Sequence, residues 1–293
     1  MASRQGIKNR IKSVSSTKQI TKAMQLVAAS KLRKAQEEAL GPRQYVENIT
    51  QVIKELANSS SASQSNLFKT NSSKTTLTIV ISSDRGLAGA YNSNVVRKLS
   101  ASLKDGGRYH KIISVGRYAS LFVSKVNGPD DQYELDEIDE IAAYPMSVSS
   151  VDFELALPIL QESIELFSSA KVSEVFVVYT DFVSTVRQET KVEKLLPIVL
   201  DEQTTESSLD KTYEPSSEVL VDYVANRYLE ANLTQFILES AASEQASRML
   251  AMKNATDNAS DLIEDLTLAF NNARQAAITQ ELAEISAGAQ AVN

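Results

Sequence analysis

Three places in this 293-residue chain carry residue types that could do chemistry. The first is Ser83-Asp84-Arg85-Gly86-Leu87-Ala88-Gly89-Ala90, a glycine-bearing turn after a β-branched run and before a helical pattern. That is the placement of a phosphate- or dinucleotide-binding loop. The loop lacks the third glycine of the dinucleotide fingerprint and the lysine that would hold a nucleotide triphosphate, so a tight strand-to-helix turn is the competing reading. The second is His110, the sole histidine, in a chain without cysteine. Histidine triads, multi-histidine metal sites, thiolate metal sites and disulfides all lack their members, and a partly exposed structural role fits His110 better. The third is the acidic group Asp136, Glu137, Asp139 and Glu140. Without the glycine and ligand spacing of a calcium loop, it reads as a solvated acidic face.

Charge is distributed more tellingly than its net value of −7 suggests. Residues 1 to 36 hold nine Lys/Arg and no Asp or Glu, which leaves the remainder strongly acidic. The basic series Lys8, Arg10, Lys12, Lys18, Lys22, Lys31, Arg33 and Lys34 could track phosphates. No aromatic residue interleaves it before Tyr45, so base stacking is unsupported, and an acidic protein partner explains the charge equally well. A transit peptide or nucleic-acid arm shares this composition. No run of about 18 apolar residues and no signal peptide is present, so neither a membrane span nor export is expected.

Helices must carry these charges. Only 9 Gly and 6 Pro occur, and neither appears from residue 7 to 40 or from 216 to 287. Apolar residues at Ile7, Ile11, Val14, Ile20, Met24, Val27 or Ala28, Leu32, Ala35 and Ala39 step mostly by three and four, as one face of a helix does. Gly41-Pro42 is expected to kink or briefly break this helix before Val46, Ile49, Ile53 and Leu56 resume the pattern. After Pro215 a second helix is expected, capped by Ser216 or Ser217, with a coiled-coil seam at Leu262, Leu266, Ala269, Ala273 and Ala276. Helices this long and thin stand only with their apolar faces covered, so the two ends are expected to pack against each other, an arrangement that the resemblance given below makes an antiparallel coiled coil. Between them, strands are expected at 75–82, 111–115, 174–179 and 191–200, and helices at 92–103, 117–125 and 153–167, with acidic loops after 125. That alternation argues for a mostly parallel, Rossmann-like α/β domain. The resulting division is 1–57 N-terminal helix, 58–74 linker, 75–205 central α/β domain and 206–293 C-terminal helix.

Residues 7–36 (IKNRIKSVSSTKQITKAMQLVAASKLRKAQ), 82–94 (SSDRGLAGAYNSN), 243–258 (SEQASRMLAMKNATDN) and 273–289 (ARQAAITQELAEISAGA) closely resemble the γ subunits of rotary F-type ATP synthases. The ITQELAEI run at 278–285 is particularly specific, and the region from about 100 to 205 matches more weakly. The resemblance implies a non-catalytic rotor shaft inside a ring of three α and three β subunits, gripping an ε subunit and the membrane c-ring, with one copy per complex. Ion-driven rotation would force the β sites through their conformations in turn. No cofactor is implied. By motif, Arg274, Gln275, Thr279 and Glu281 correspond to the polar catch against a β loop, with Arg248 interacting nearby. Met24 would face the acidic lever loop of β. Tyr213 and Glu214 belong to the region that meets ε and the c-ring. The tip residues Ala276, Ala277, Ile278, Leu282, Ala283, Ile285, Ala287, Gly288, Ala289 and Ala291 would form a smooth apolar bearing. Absence of cysteine removes the thiol switch of chloroplast members. The motif's start at residue 7 leaves no room for an organelle presequence, so a bacterial protein at the cytoplasmic face of the inner membrane is expected. Two readings of other classes compete: a coiled-coil scaffold binding nucleic acid through its basic helix, and a nucleotide-binding enzyme using residues 84–90.

Overall fold

The computed structural model describes residues 4–57, 65–104, 109–128, 138–146, 155–199 and 217–292. The Asp136, Glu137, Tyr213, Glu214 and Ser216 readings fall outside them, as do the side chains of residues 288–292. Contacts divide the chain into two compact units, Met1–Ala28 with Arg248–Asn293, and Ala29–Ser247.

In the larger unit a five-stranded sheet is built from β1 (Thr75–Ile81), β2 (Tyr109–Val115), β3 (Ile138–Tyr144), β4 (Glu174–Phe182) and β5 (Gln188–Leu196). Its order is β3-β2-β1-β4-β5. The first four strands are parallel, and β5 returns antiparallel beside β4. The parallel strands are connected through α2 (Tyr91–Lys104), α3 (Arg117–Val126) and α4 (Ala156–Ser168). Strand side chains alternate between two cores, as the two-residue period requires. Leu77, Ile79, Ile81, Val175, Val177 and Tyr179 join α4 and the long terminal helices, whereas Val80, Ile112 and Val178 join α2 and α3.

The first of those terminal helices, α1, runs unbroken over Arg4–Ala57 with Pro42 inside it. The expected break at Gly41-Pro42 does not occur. Pro42 removes one backbone hydrogen bond and crowds the preceding turn, at about 3 kcal/mol. Buried Ala39, Ile49, Ile53 and Leu56 hold the helix on both sides, and each large aliphatic among them contributes roughly 1.5–3 kcal/mol. The acidic loops expected after residue 125 contain β3, an edge strand whose Asp139 pairs with Lys111 of β2. The other elements match their expected positions to within three residues at the described ends, except that β5 ends at Leu196, four residues before its expected end.

The smaller unit joins the start of α1 to the distal part of α5 (Ser217–Val292). On α1 the inward positions are Ile7, Ile11, Val14, Lys18, Thr21, Gln25 and Ala28, steps of four and three throughout. On α5 they are Met252, Thr256, Ala259, Ile263, Leu266, Phe270, Ala273 and Ala277. Of the expected α5 seam, Leu266 and Ala273 face inward, whereas Leu262, Ala269 and Ala276 are exposed and Ile263, Phe270 and Ala277 take the inward places. Burial fades along α1 from Ala28 toward Arg4 and along α5 from Ala259 toward the C-terminus, as an antiparallel pair demands. Thr256 donates to Thr21 across the seam, Oγ1 to Oγ1 at 2.8 Å. Counted residue for residue from that contact, Arg4 lies beside the turn holding Ala273. Residues 278–287 have no α1 alongside and are exposed.

Candidate subunit-contact sites

The glycine-bearing loop is committed to its own architecture. Ser82 Oγ accepts from the Ala119 amide at 2.8 Å and donates to the Val115 carbonyl at 3.1 Å. Gly116, at φ 86°, packs directly on the Ser82 carbonyl, where any Cβ would collide. The Ser83 amide donates to Asn92 Oδ1, and Asp84 Oδ1 accepts from the Arg117 amide at 3.0 Å. The Ser83 and Arg117 amides, donors that a phosphate could use, are thus engaged within the turn.

The crevice where such a ligand would sit is also filled. In open α/β sheets, ligands bind at the carboxyl ends of strands where the order reverses, here between β1 and β4. Beyond the end of β1, the ladder position of β4 is taken by α5. The Thr180 amide donates to Ser240 Oγ at 3.1 Å, and Ser243 Oγ donates to the Thr180 carbonyl at 3.0 Å. Two helix serines complete the hydrogen bonding of a strand, and both are fully buried.

His110 Nδ1 lies 2.9 Å from Thr76 Oγ1 on the neighbouring strand, in keeping with a structural role. Among the described residues, no group of three or more His, Cys, Asp or Glu is arranged to hold a metal ion.

The catch residues lie on the exposed end of α5. Arg274, Gln275, Thr279 and Glu281 are all exposed. At about 100° per residue, Arg274 and Glu281 lie on one side of the seam line through Ala277, within about 60° of it, whereas Gln275 and Thr279 point away from it. Thr279 Oγ1 donates to the Gln275 carbonyl at 3.0 Å, which turns its hydroxyl back onto the helix. Arg248 does not join this group: 26 positions of helix rise separate it from Arg274 by about 39 Å, and it is buried, 9% exposed. Met24 is half-buried on α1. Of the tip residues, Ala276, Ile278, Leu282, Ala283, Ile285 and Ala287 are exposed, and Ala277 closes the seam.

Sequence reasoning missed a polar cluster beside the Thr180 clip. Glu239 of α5 accepts from Gln235 Nε2 at 2.7 Å and from Arg43 of α1 at 3.3 Å, and it stands one position from Ser240 as Asp181 of β4 does from Thr180. Asp181 in turn pairs with Lys191 of β5. Burial, more than the Asp181 charge, pushes the Glu239 carboxyl above the ordinary carboxylate range, against the pull of Gln235 and Arg43. Burial likewise raises the Tyr179 phenol, with smaller contributions from Glu239, Glu193 and Asp181. The only sequence signal was Glu239-Ser-Ala-Ala-Ser-Glu244, small and polar residues inside a helix whose neighbours are buried all round.

The family model described as "ATP synthase" matches residues 3–292. The chain is 38% identical to the ATP synthase gamma chain of Polaromonas naphthalenivorans, with both chains fully covered. It is 40% identical to that of Alkaliphilus metalliredigens, over 98% of each chain. Among solved structures it resembles a chain of the Tetrahymena thermophila mitochondrial ATP synthase central stalk and c-ring, at TM-score 0.61 and 27% identity, covering 80% of this chain and 99% of that one. A chain of the Euglena gracilis mitochondrial ATP synthase rotor shares the fold at TM-score 0.67 and 18% identity, over 94% and 98% of the two chains. A family model spanning residues 3–292 and relatives 38–40% identical over essentially the whole of both chains lead to one assignment: this chain belongs to the ATP synthase gamma chain family.

Proposed function

We propose that the chain works as the rotating central stalk of an F-type ATP synthase and contributes no catalytic group of its own. The observation that carries this reading is the end of α5: Arg274 and Gln275 are exposed at the last turn of the α1 pairing, and the ten exposed residues 278–287 beyond it hold Thr279 and Glu281 among Ile278, Leu282 and Ile285. A surface of that kind suits intermittent contact with a surrounding ring of three α and three β subunits. Apolar side chains slide without directional bonds, while Arg274 and Glu281 can make charge-assisted hydrogen bonds of roughly 1.5–3 kcal/mol at one rotational position. The cations on the exposed face of α1, such as Lys12, Lys22 and Lys31, attract acidic loops of that ring through hydrated pairs weak enough to be left again.

In this reading 1–57 and 206–293 serve as the shaft, 58–74 as a connector and 75–205 as the foot, with Tyr213 and Glu214 near the contacts to ε and the c-ring. One copy turns per complex. No helix among the described residues is long and apolar enough to cross a membrane, so attachment would run through the c-ring, at the cytoplasmic face of a bacterial inner membrane. Family membership lends nothing to the nucleic-acid scaffold, and the Thr180 clip removes the crevice that a nucleotide-binding enzyme would use. The test is reconstitution. Purified α, β and ε subunits with c-ring vesicles should show ATP-driven ion pumping only when this chain is added. Equal pumping without it would overturn the proposal.

A further inference from the structure

One edge of the sheet lies beside a cleft that neither the exposed end of α5 nor the Thr180 clip uses. β5 closes the strand order on its side, and among the described residues no second strand pairs with it. Between its first half and α2 opens a cleft of about 460 Å3, lined by residues 188–191 and by Asn94, Arg97 and Lys98. Val192 packs against the core of α2 and α3, so the two-residue period puts Thr190 on that face as well and Glu189 and Lys191 on the other. Four consecutive residues from both faces can line one cleft only along the strand's edge, where alternate residues turn an N–H and a C=O outward.

The charges of the cleft do not balance. Glu189 is held by Arg187, whose Nε donates to it at 2.7 Å, and Lys191 pairs with Asp181. No acidic residue occurs on α2. Arg97 Nη2 donates to Asn94 Oδ1 at 2.6 Å, and among the described residues neither Arg97 nor Lys98 meets a carboxylate. Two cations without counter-charge thus stand over a row of unpaired backbone groups.

We propose that this edge binds an extended acidic segment of a partner protein, added as a further strand beside β5. Main-chain hydrogen bonds to β5 supply the pairing, and carboxylates at every second position of the added strand meet Arg97 and Lys98. A free phosphate satisfies the two cations but, having only acceptors to offer, leaves the strand's outward carbonyls unpaired. Glu189, Lys191, Glu193 and Lys194 keep the edge from pairing indiscriminately, so selection of the partner falls to the cations on α2. The surface belongs to the chain whether or not it turns as a rotor.

The test uses the isolated full chain at low ionic strength, where exposed charges are least screened, and a fluorescent blocked peptide of alternating glutamate and valine. Anisotropy should show saturable binding, weakened about tenfold or more by the double variant Arg97→Ala/Lys98→Ala. Both residues are exposed, so that variant should fold as wild type does. Amide exchange over residues 188–194 should slow at alternate positions when the peptide binds. Two N-methylated peptides, each blocked along one of its edges, separate strand pairing from charge: one should bind as the parent does and the other should lose binding. No saturable binding, equal binding of both methylated forms, indifference to the double variant, or equally tight binding of inorganic tripolyphosphate would overturn strand addition. A dimer of the chain protected over 188–194 would overturn it too, by showing a second copy on the edge. Since no other subunit enters the measurement, failure here leaves the rotor reading standing, and failed reconstitution leaves the edge site standing.

Discussion

Replacing Ser240 by alanine isolates the contact that distinguishes this sheet from a ligand-binding one. The Thr180 amide lies where β1 has already ended, and its acceptor is the Ser240 hydroxyl at 3.1 Å, with both residues buried. Without that oxygen the amide keeps the desolvation cost of burial and loses its hydrogen bond, a loss of about 1–3 kcal/mol. Ser243→Ala removes the donor to the Thr180 carbonyl and should cost less, about 0.5–1.5 kcal/mol, because an under-satisfied carbonyl is better tolerated than an orphaned N–H. The double variant should fall short of the sum, since both serines hold one residue. Equilibrium urea unfolding of the isolated chain supplies the free energies, and exchange of the Thr180 amide reports the local effect. If Ser240→Ala lies within about 0.3 kcal/mol of wild type, smaller than an ordinary surface change, and Thr180 protection is unaltered, α5 is not completing β4 and the argument against a ligand crevice fails.

Thr21→Val or Thr256→Val should each cost about 0.5–1 kcal/mol, because the surviving hydroxyl retains a carbonyl of its own helix, at Met252 or Lys18 respectively; the double variant should recover most of the loss, measured as a thermodynamic cycle in urea. For Glu239, a carboxyl raised by folding favours the native state below its unfolded titration near 4.5, and that advantage is lost as pH climbs through the folded value. The stability of Glu239→Gln relative to wild type should therefore improve with pH above about 4.5 and then plateau, and a difference constant over pH 4 to 8 would count against the raised carboxyl. Arg274→Ala, at an exposed position, should leave unfolding within about 0.5 kcal/mol of wild type, yet lower ATP synthesis driven by an ion gradient in reconstituted vesicles. Full synthesis rates would remove Arg274 from the coupling surface.

What the sequence made legible and what it hid separate along physical lines. On α1 the stripe was readable at Ile7, Ile11, Val14, Ala28, Leu32, Ala35 and Ala39, but Ile20 and Val27 are exposed and the polar Lys18, Thr21 and Gln25 take the inward places between them, which an apolar pattern does not show. On α5 the spacing was right and Leu266 and Ala273 face inward as expected, but the other three positions are displaced by one residue. Leu262-Ile263, Ala269-Phe270 and Ala276-Ala277 are adjacent apolar pairs, so periodicity alone cannot say which member turns inward, and only the partner helix decides. Pro42 misled because propensity is local, whereas the burial of Ile49 and Ile53 that outweighs it is tertiary. β3 was hidden by Asp139 and Glu140, residues that an edge strand tolerates and a central strand does not.

The least legible region, 234–247, argues most about how the molecule is built. There α5 is buried on almost every side, which leaves no polar face for an amphipathic pattern to show. Thr234, Gln235, Glu239, Ser240, Ser243 and Glu244 are consequently buried polar residues, and such groups persist only where bonding compensates desolvation. For Gln235, Glu239, Ser240 and Ser243 the bonds include a neighbour in the same helix and partners drawn from β4 and α1, 60 or more positions distant in sequence. Apolar packing alone would let a smooth helix slip along a sheet by a turn with little penalty. A helix whose serines complete one particular strand residue, and whose glutamate meets one particular arginine, has a single register.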